Sequence, residues 1–350
     1  MLIFYIATIL SVLNLLTRKK IFSYLIFFLL IFIGACRNIT IGTDTGTWYY
    51  KNWVFTTLAS KTWNHFTPFE PGFNLLIGIF KEYVSSSYIF FYSSLFLITY
   101  ILFIFYLKKE ELDLGIGLSL FLLTGNYLFC MNIMRQMLAL SMAIILVSKF
   151  LKKNNYTQYI IGIILISIFF HKSIIILLLI PIFKISNVEY WLNTKVLFIL
   201  WIIFLFLSMN ISLINNIYPY IQLLMNNTSY ERHINTLMEY GEQERTVGYI
   251  GSSILILSLL KLSEGQRNIY FYVGYVGLLF SMLSKSIMPE FGRIFINICF
   301  FIVPYLTTIY QNKNSSKNIY ITYILIAYLA FSFISSLKIS SFVPYKTFFD

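Results

Sequence analysis

Residues 88–109 read YIFFYSSLFLITYILFIFYLKK. From Tyr88 to Leu107 no side chain is charged, and the run stops at Lys108-Lys109. A helix of this length is about 30 Å long at 1.5 Å per residue, the thickness of the hydrocarbon core of a bilayer. Apolar runs of the same character recur at residues 1–16, 21–36, 196–210, 247–260, 268–284, 292–310 and 319–337. Of the 350 residues, 58% are hydrophobic and 11% charged, and the mean hydropathy is +0.76. A water-soluble chain of this size carries a far more charged surface. The runs lack strand alternation, which excludes an outer-membrane barrel and leaves a bundle of membrane-spanning helices.

The formal net charge of +12 does not form a nucleic-acid footprint. The basic residues sit in small clusters between apolar runs: Arg18-Lys19-Lys20, Lys108-Lys109, Lys149 with Lys152-Lys153, and Lys313 with Lys317. That is the pattern of a positive-inside topology. Residues 1–16 have no basic residue ahead of them, so they read as a retained first span rather than a cleaved signal. Cys36, Cys130 and Cys299 are far apart in sequence, a spacing that suits neither a disulfide scaffold nor a metal site. Neither a cofactor nor a metal is expected, since the chain has no Gly-rich phosphate loop and no H-E-x-x-H motif.

The expected organisation is a single integral membrane domain over residues 1–350 with about twelve spans. Residues 37–87 form a first external polar segment in which Gly72–Phe80 is too brief to cross, a re-entrant or interfacial helix. Residues 112–150 divide into two crossings at Asn126, Asn132 and Arg135, and residues 158–183 break at His171-Lys172. Residues 210–246 form a large external loop. On this map the inner side carries fourteen of the twenty-six Lys and Arg and five of the fourteen acids. Five of the seven arginines fall outside.

Arg37, Asp44, Glu70, Arg135, His171, Arg232, Arg245, Glu290 and Arg293 all map to outer span ends or outer loops. Charge near lipid is expensive unless it is paired or faces a polar cavity. Guanidinium groups facing a cavity suit a phosphate-bearing ligand, because they stay charged and donate in pairs. Each residue also has an ordinary reading. Arg37 could snorkel at a helix end, Asp44 could cap a local turn, and Glu290 with Arg293 could be an i,i+3 pair. Arg232 and Arg245 sit in a solvated loop. Trp48, Tyr49, Trp53 and Trp63 could belong to an interfacial belt or stack against sugars.

Several segments, in order, resemble the EpsG-like branch of the Wzy-type bacterial polysaccharide polymerases. They are RNITIGTDTGTWY (37–49), FEPGFNLL (69–76), IMRQMLA (133–139), FFHKSII (169–175), FGR (291–293) with Pro304, and the closing VPYK (343–346). The resemblance implies an all-α polytopic protein of GT-C-like architecture in the bacterial inner membrane, with its active site facing outward. It implies transfer of a chain from undecaprenyl pyrophosphate to a terminal sugar hydroxyl of a lipid-linked repeat unit, without a cofactor. A chain-length regulator and a flippase are the expected protein partners. Arg37, Arg135 and Arg293 are then expected to bind pyrophosphate or acceptor, with Arg232 and Arg245 as further substrate-binding candidates. Asp44 or His171 would take the proton of the attacking hydroxyl, and Glu70 and Glu290 would orient sugars or arginines. Direct attack inverts the anomeric carbon. An O-antigen ligase shares the topology. A flippase would place charges along the midplane of two related halves, and a membrane O-acyltransferase would centre on a histidine inside a span.

Overall fold

The structure, a computed structural model, describes residues 1–57, 69–186, 188–210, 242–287, 289–312, 319–339 and 342–349. Among these residues there are helices and no β-strand, apart from an isolated antiparallel bridge between Arg37 and Thr347. Four helices are long and apolar enough to cross a membrane: Tyr88–Lys109, Met134–Lys153, Gly292–Gln311 and Ile319–Leu337. Leu114–Leu123 and Asn126–Asn132 form a fifth candidate, bent by 69° at its break. Leu2–Thr17, Lys20–Ala35, Tyr156–Phe169, Thr194–Met209, Tyr249–Leu262 and Ile269–Ser284 are shorter apolar helices.

Two compact units are formed. The described residues of the first fall within Met1–Leu178, Leu306–Asn312 and Leu329–Asp350, and those of the second within Leu179–Tyr305 and Lys313–Tyr328. In the first unit α1 (Leu2–Thr17), α2 (Lys20–Ala35) and α6 (Leu114–Leu123) pack together. Apolar faces give little preference for protein over lipid, so small residues and interhelical hydrogen bonds hold such helices together. Here Asn14 of α1 donates to Ser119 of α6 at 3.1 Å and accepts from Ser23 of α2 at 3.1 Å. Gly115 sits directly against Ser23, with no room for a side chain.

Next, α2 packs on α5 (Tyr88–Lys109), α5 on α8 (Met134–Lys153), and α8 on α9 (Tyr156–Phe169). At one end of α5 and α8 the basic cluster is closed by Lys152, whose Nζ lies 3.0 Å from Glu110 Oε1 and donates to Lys109 O at 2.9 Å. Both helices start at the other end. There lie α3 (Tyr50–Phe55), α4 (Pro71–Tyr83) and α7 (Asn126–Asn132). A layer of buried rings, including Trp53, Phe73, Tyr88 and Phe91, backs this end. Lys81 of α4 closes it by donating to Trp53 O at 2.7 Å and Thr56 O at 2.9 Å.

The breaks read from the sequence recur. α4 is a 13-residue helix, about 20 Å long. The turn expected around residues 126–135 separates α7 from α8 at Ile133, whose φ and ψ of −96° and 52° are not helical. α9 ends at Phe169, and a 3₁₀ helix, Lys172–Leu179, follows it.

The second unit holds α10 (Ile180–Ile185), α11 (Val188–Trp191), α12 (Thr194–Met209), α13 (Glu242–Leu262), α14 (Ile269–Ile287) and α15 (Pro289–Cys299). α14 packs on α12, α13 and α15. Phe280 of α14 lies 5.1 Å from the rings of both Phe204 and Phe295. Arg267 ties the start of α14 to α12 and α13 through Thr194 Oγ1 at 2.8 Å and Ser263 Oγ at 3.0 Å. Helices α16 (Ile302–Gln311) and α17 (Ile319–Ile339) complete the chain. Of the large loop expected at 210–246, only its first residue and the start of α13 are among the described residues.

Candidate functional site

The site is built in the first unit around the N-termini of α4 and α8. Pro71 is the first residue of α4, and a residue before proline is pushed out of the helical region. Glu70 accordingly is extended, with φ −64° and ψ 151°. Its carbonyl starts the helix by accepting from Asn74 N at 3.1 Å. Its carboxylate does not cap α4. It points instead to two other segments: Oε2 pairs with Arg135 Nη1, and Oε1 accepts from Lys172 N at 3.2 Å. The pair is largely dry, with side-chain exposures of 15% for Arg135 and 7% for Glu70. Phe69 lies under the guanidinium, 4.1 Å from its carbon to the ring centroid, in the attractive cation–π geometry.

Arg135 is the second residue of α8, so its backbone N–H belongs to the first turn and has no partner within the helix. Tyr49 supplies one: its hydroxyl accepts from Arg135 N at 3.1 Å. Tyr49 closes a one-turn π-helix, Thr45–Tyr49, whose preceding residue is Asp44. π-Helical turns are rare and concentrate at functional sites. Asp44 N donates to Asn132 Oδ1 at 2.9 Å, and Thr43 Oγ1 donates to the same atom at 3.2 Å. Thr45 Oγ1 donates to Met131 O at 3.0 Å, and Tyr88 OH donates to Thr45 O at 2.6 Å. The turn into this segment uses Gly42 at φ +88°, a conformation costly for residues with a Cβ.

His171 follows the C-terminus of α9. Its Nδ1 accepts from Ser173 N at 3.3 Å and lies 2.7 Å from Ser173 Oγ. Lys172 N, bound to Glu70, is the next residue along. Gly72 brings α4 onto this segment, since a Cβ there would stand 2.7 Å from Phe169 O.

Arg37 is fully buried at the end of α2. Nη1 donates to Gly34 O, and Nη2 donates to Met131 O at 3.2 Å and faces Met134 Sδ at 3.1 Å. The Tyr92 ring lies 4.8 Å from its carbon. Burial pulls its pKa below the usual arginine range, and the surrounding tyrosines, Tyr92 first, oppose that pull. The closing segment is laced to the same place. Asn38 N donates to Lys346 O at 2.9 Å, Phe348 N to Cys36 O at 3.0 Å, and Tyr345 OH to Ile33 O at 2.8 Å.

The expected residues therefore divide. Asp44, Tyr49, Arg135 and Glu70 are joined by a chain of hydrogen bonds, and Glu70 reaches Lys172 N, the residue after His171. Arg37 lies beneath it, sharing Met131 O with Thr45. Trp48 is on the same π-helical turn, 55% exposed, with Lys51 Nζ 5.9 Å over its ring. Arg293 lies in the second unit, exposed on α15. Glu290 and Arg245 are on described helices, α15 and α13, while Arg232 and Trp63 lie outside the described residues. Among the described residues no cluster of His, Cys, Asp or Glu could hold a metal ion. Sequence reasoning missed Asn132, read only as a turn marker. It also missed the buried pair Asn52 and Asn74, joined at 2.9 Å, which fixes α3 to α4. The signal for Asn74 was its place in FEPGFN, an amide in the first turn of an otherwise apolar helix.

Long apolar helices, with an arginine–carboxylate centre at one end of two of them, define an all-helical membrane protein. The sequence model of the EpsG family matches residues 20–347, nearly the whole chain, and the chain belongs to that family. No curated protein and no solved structure matches it. Membership points to a polysaccharide polymerase-like, glycosyltransferase-type activity on lipid-linked sugars.

Proposed function

We propose that the chain polymerises oligosaccharide repeat units carried on undecaprenyl pyrophosphate, at the outer face of the bacterial inner membrane. The observation that carries this reading is the Arg135–Glu70 pair: Glu70 links the α4 N-terminus to the Arg135 guanidinium and to Lys172 N beside His171, while the Asp44 turn meets the Arg135 backbone through Tyr49. Arg135 has five N–H groups, of which Glu70 takes one through Nη1, and Phe69 covers one face. The remaining donors suit the oxygens of a diphosphate. The acceptor hydroxyl attacks the anomeric carbon and gives its proton to the Asp44 carboxylate. The bond from that carbon to the diphosphate oxygen breaks, and the lipid diphosphate leaves with the electron pair, inverting the centre. Arg135 donates to the charge that develops on the leaving group. Asp44 is chosen as base because its turn is referenced to the start of α8 through Asn132 and Tyr49, and His171 is the alternative proton acceptor. Trp48 offers an exposed ring to a sugar, and Arg37 shapes the floor beneath the turn. Arg293, Glu290, Arg232 and Arg245 remain substrate-binding candidates.

The bent pair and the six shorter apolar helices, read as spans beside the four long ones, approach the expected twelve of a GT-C-like protein. In the first unit the site and the basic cluster sit at opposite ends of α5 and α8. Positive-inside orientation then puts the site outside. Cells whose only copy is Arg135→Ala are expected to accumulate lipid carrying single repeat units. Normal polymer from that variant refutes the assignment. Single units transferred to a different acceptor, without accumulation, identify a ligase.

A further inference from the structure

We propose that Asn132 is a positioning residue of the transfer reaction, fixing Asp44 relative to Arg135. The inference rests on the polymerase reading for its kinetics and on the geometry alone for its anchoring. Asn132 is the last residue of α7, and Arg135, the second residue of α8, follows three residues later. The break between these helices carries three attachment points for residues 43–49. Met131 O receives Thr45 Oγ1, Asn132 Oδ1 receives Asp44 N and Thr43 Oγ1, and Arg135 N meets the Tyr49 hydroxyl.

The middle attachment acts directly on Asp44. A carbonyl oxygen has two lone pairs, and Asn132 Oδ1 uses them on two donors from consecutive residues. Thr43 Oγ1 also lies 3.3 Å from Asp44 Oδ1, so its single proton is shared between the Asn132 amide oxygen and the Asp44 carboxylate. Gly42 supplies the left-handed turn, and a Cβ there would stand 3.2 Å from Asn132 Oδ1. The loop therefore runs closely over this side chain. Asp44 and Arg135 come from segments distant in sequence, but both are referenced to one helix break. A base and a leaving-group donor that must act in the same displacement need such a common reference, because a displacement of 1 Å can lower turnover by about 100-fold.

The test uses the full-length chain in lipid nanodiscs with a synthetic lipid-diphosphate repeat unit. Asn132→Ala is expected to lower kcat by about 100-fold with KM for the lipid-linked unit within about twofold, since the Arg135–Glu70 pair stays intact. Asn132→Asp keeps an oxygen acceptor in place and is expected to recover at least about tenfold of the loss. The exposed Thr43→Val, which removes one of the two donors, is expected to lower kcat by about tenfold and covers the case in which Asn132→Ala does not fold. Hydrogen exchange over residues 40–48, which needs no turnover, is expected to rise in Asn132→Ala. An unchanged kcat in folded Asn132→Ala, no recovery in Asn132→Asp, or unaltered exchange overturns the proposal. A wild-type chain that extends no repeat unit while exchange still rises refutes the polymerase reading and leaves the anchoring by Asn132 established.

Discussion

Arg135 and Glu70 set the terms of the site at the level of single residues. Removing one partner of a buried ion pair leaves the other charge uncompensated, at a cost of about 3 kcal/mol or more. Glu70→Gln is therefore expected to lower the unfolding midpoint in detergent. Its amide can still accept from Lys172 N, so the α4 N-terminus stays in place. Arg135→Lys keeps the charge but loses the fork that can hold Glu70 and a phosphate oxygen together. It is expected to fold and to lose about tenfold or more in kcat, whereas Arg135→Ala loses about 100- to 1000-fold. Equal activity of Arg135→Lys and wild type would mean that only a point charge is needed. The sequence singled out Arg135 as a candidate because it stands with Asn132 and Gln136 between apolar runs. It did not separate the environment of Arg37 from that of Arg135. Both are outer-end arginines in sequence, yet Arg37 is enclosed by carbonyls, a thioether and a ring supplied from α2, α5, α7 and α8. Such enclosure is a property of the assembled helices.

Two helix starts, at Pro71 and at Met134, bring the site together at the level of elements, with a one-turn π-helix set across the second. The start of α4 was written locally, in Glu-Pro-Gly. Proline fixes the entry, Glu70 is left extended, and Gly72 permits close approach to Phe169. Gly72→Val places side-chain atoms against the Phe169 carbonyl and is expected to push α4 off the end of α9. Glu70 would then lose its hold on Lys172 N, and polymer synthesis is expected to fall at least about tenfold while the protein still inserts. Full activity of Gly72→Val would show that this approach is not needed. The π-helical turn itself was not legible. TDTGTWYY has no hydrophobic period, and its shape depends on Met131, Asn132 and Tyr88, partners 43 to 89 residues away.

For the whole molecule, the apolar runs made the helical membrane class plain, and the breaks at 126–135 and 169–172 were readable from the polar residues that interrupt them. Span number was less readable, because helices such as α9, at 14 residues, are about 21 Å long and shorter than a hydrocarbon core. The orientation of the first unit can be checked directly. In a cysteine-free background, Thr47→Cys is expected to react with an impermeant maleimide in intact spheroplasts. Lys152→Cys is expected to react only after permeabilisation. The reverse pattern would turn the site inward and contradict the proposed orientation.

Polymerisation through Arg135 is tested by reconstituting the chain with a lipid-pyrophosphate repeat unit from its host and no nucleotide sugar. Products are read by mass. A ladder rising in whole repeat units is expected, slowed about 100- to 1000-fold in folded Arg135→Ala. Transfer of single units to an unrelated acceptor, or a ladder that forms at the wild-type rate without Arg135, would contradict this expectation.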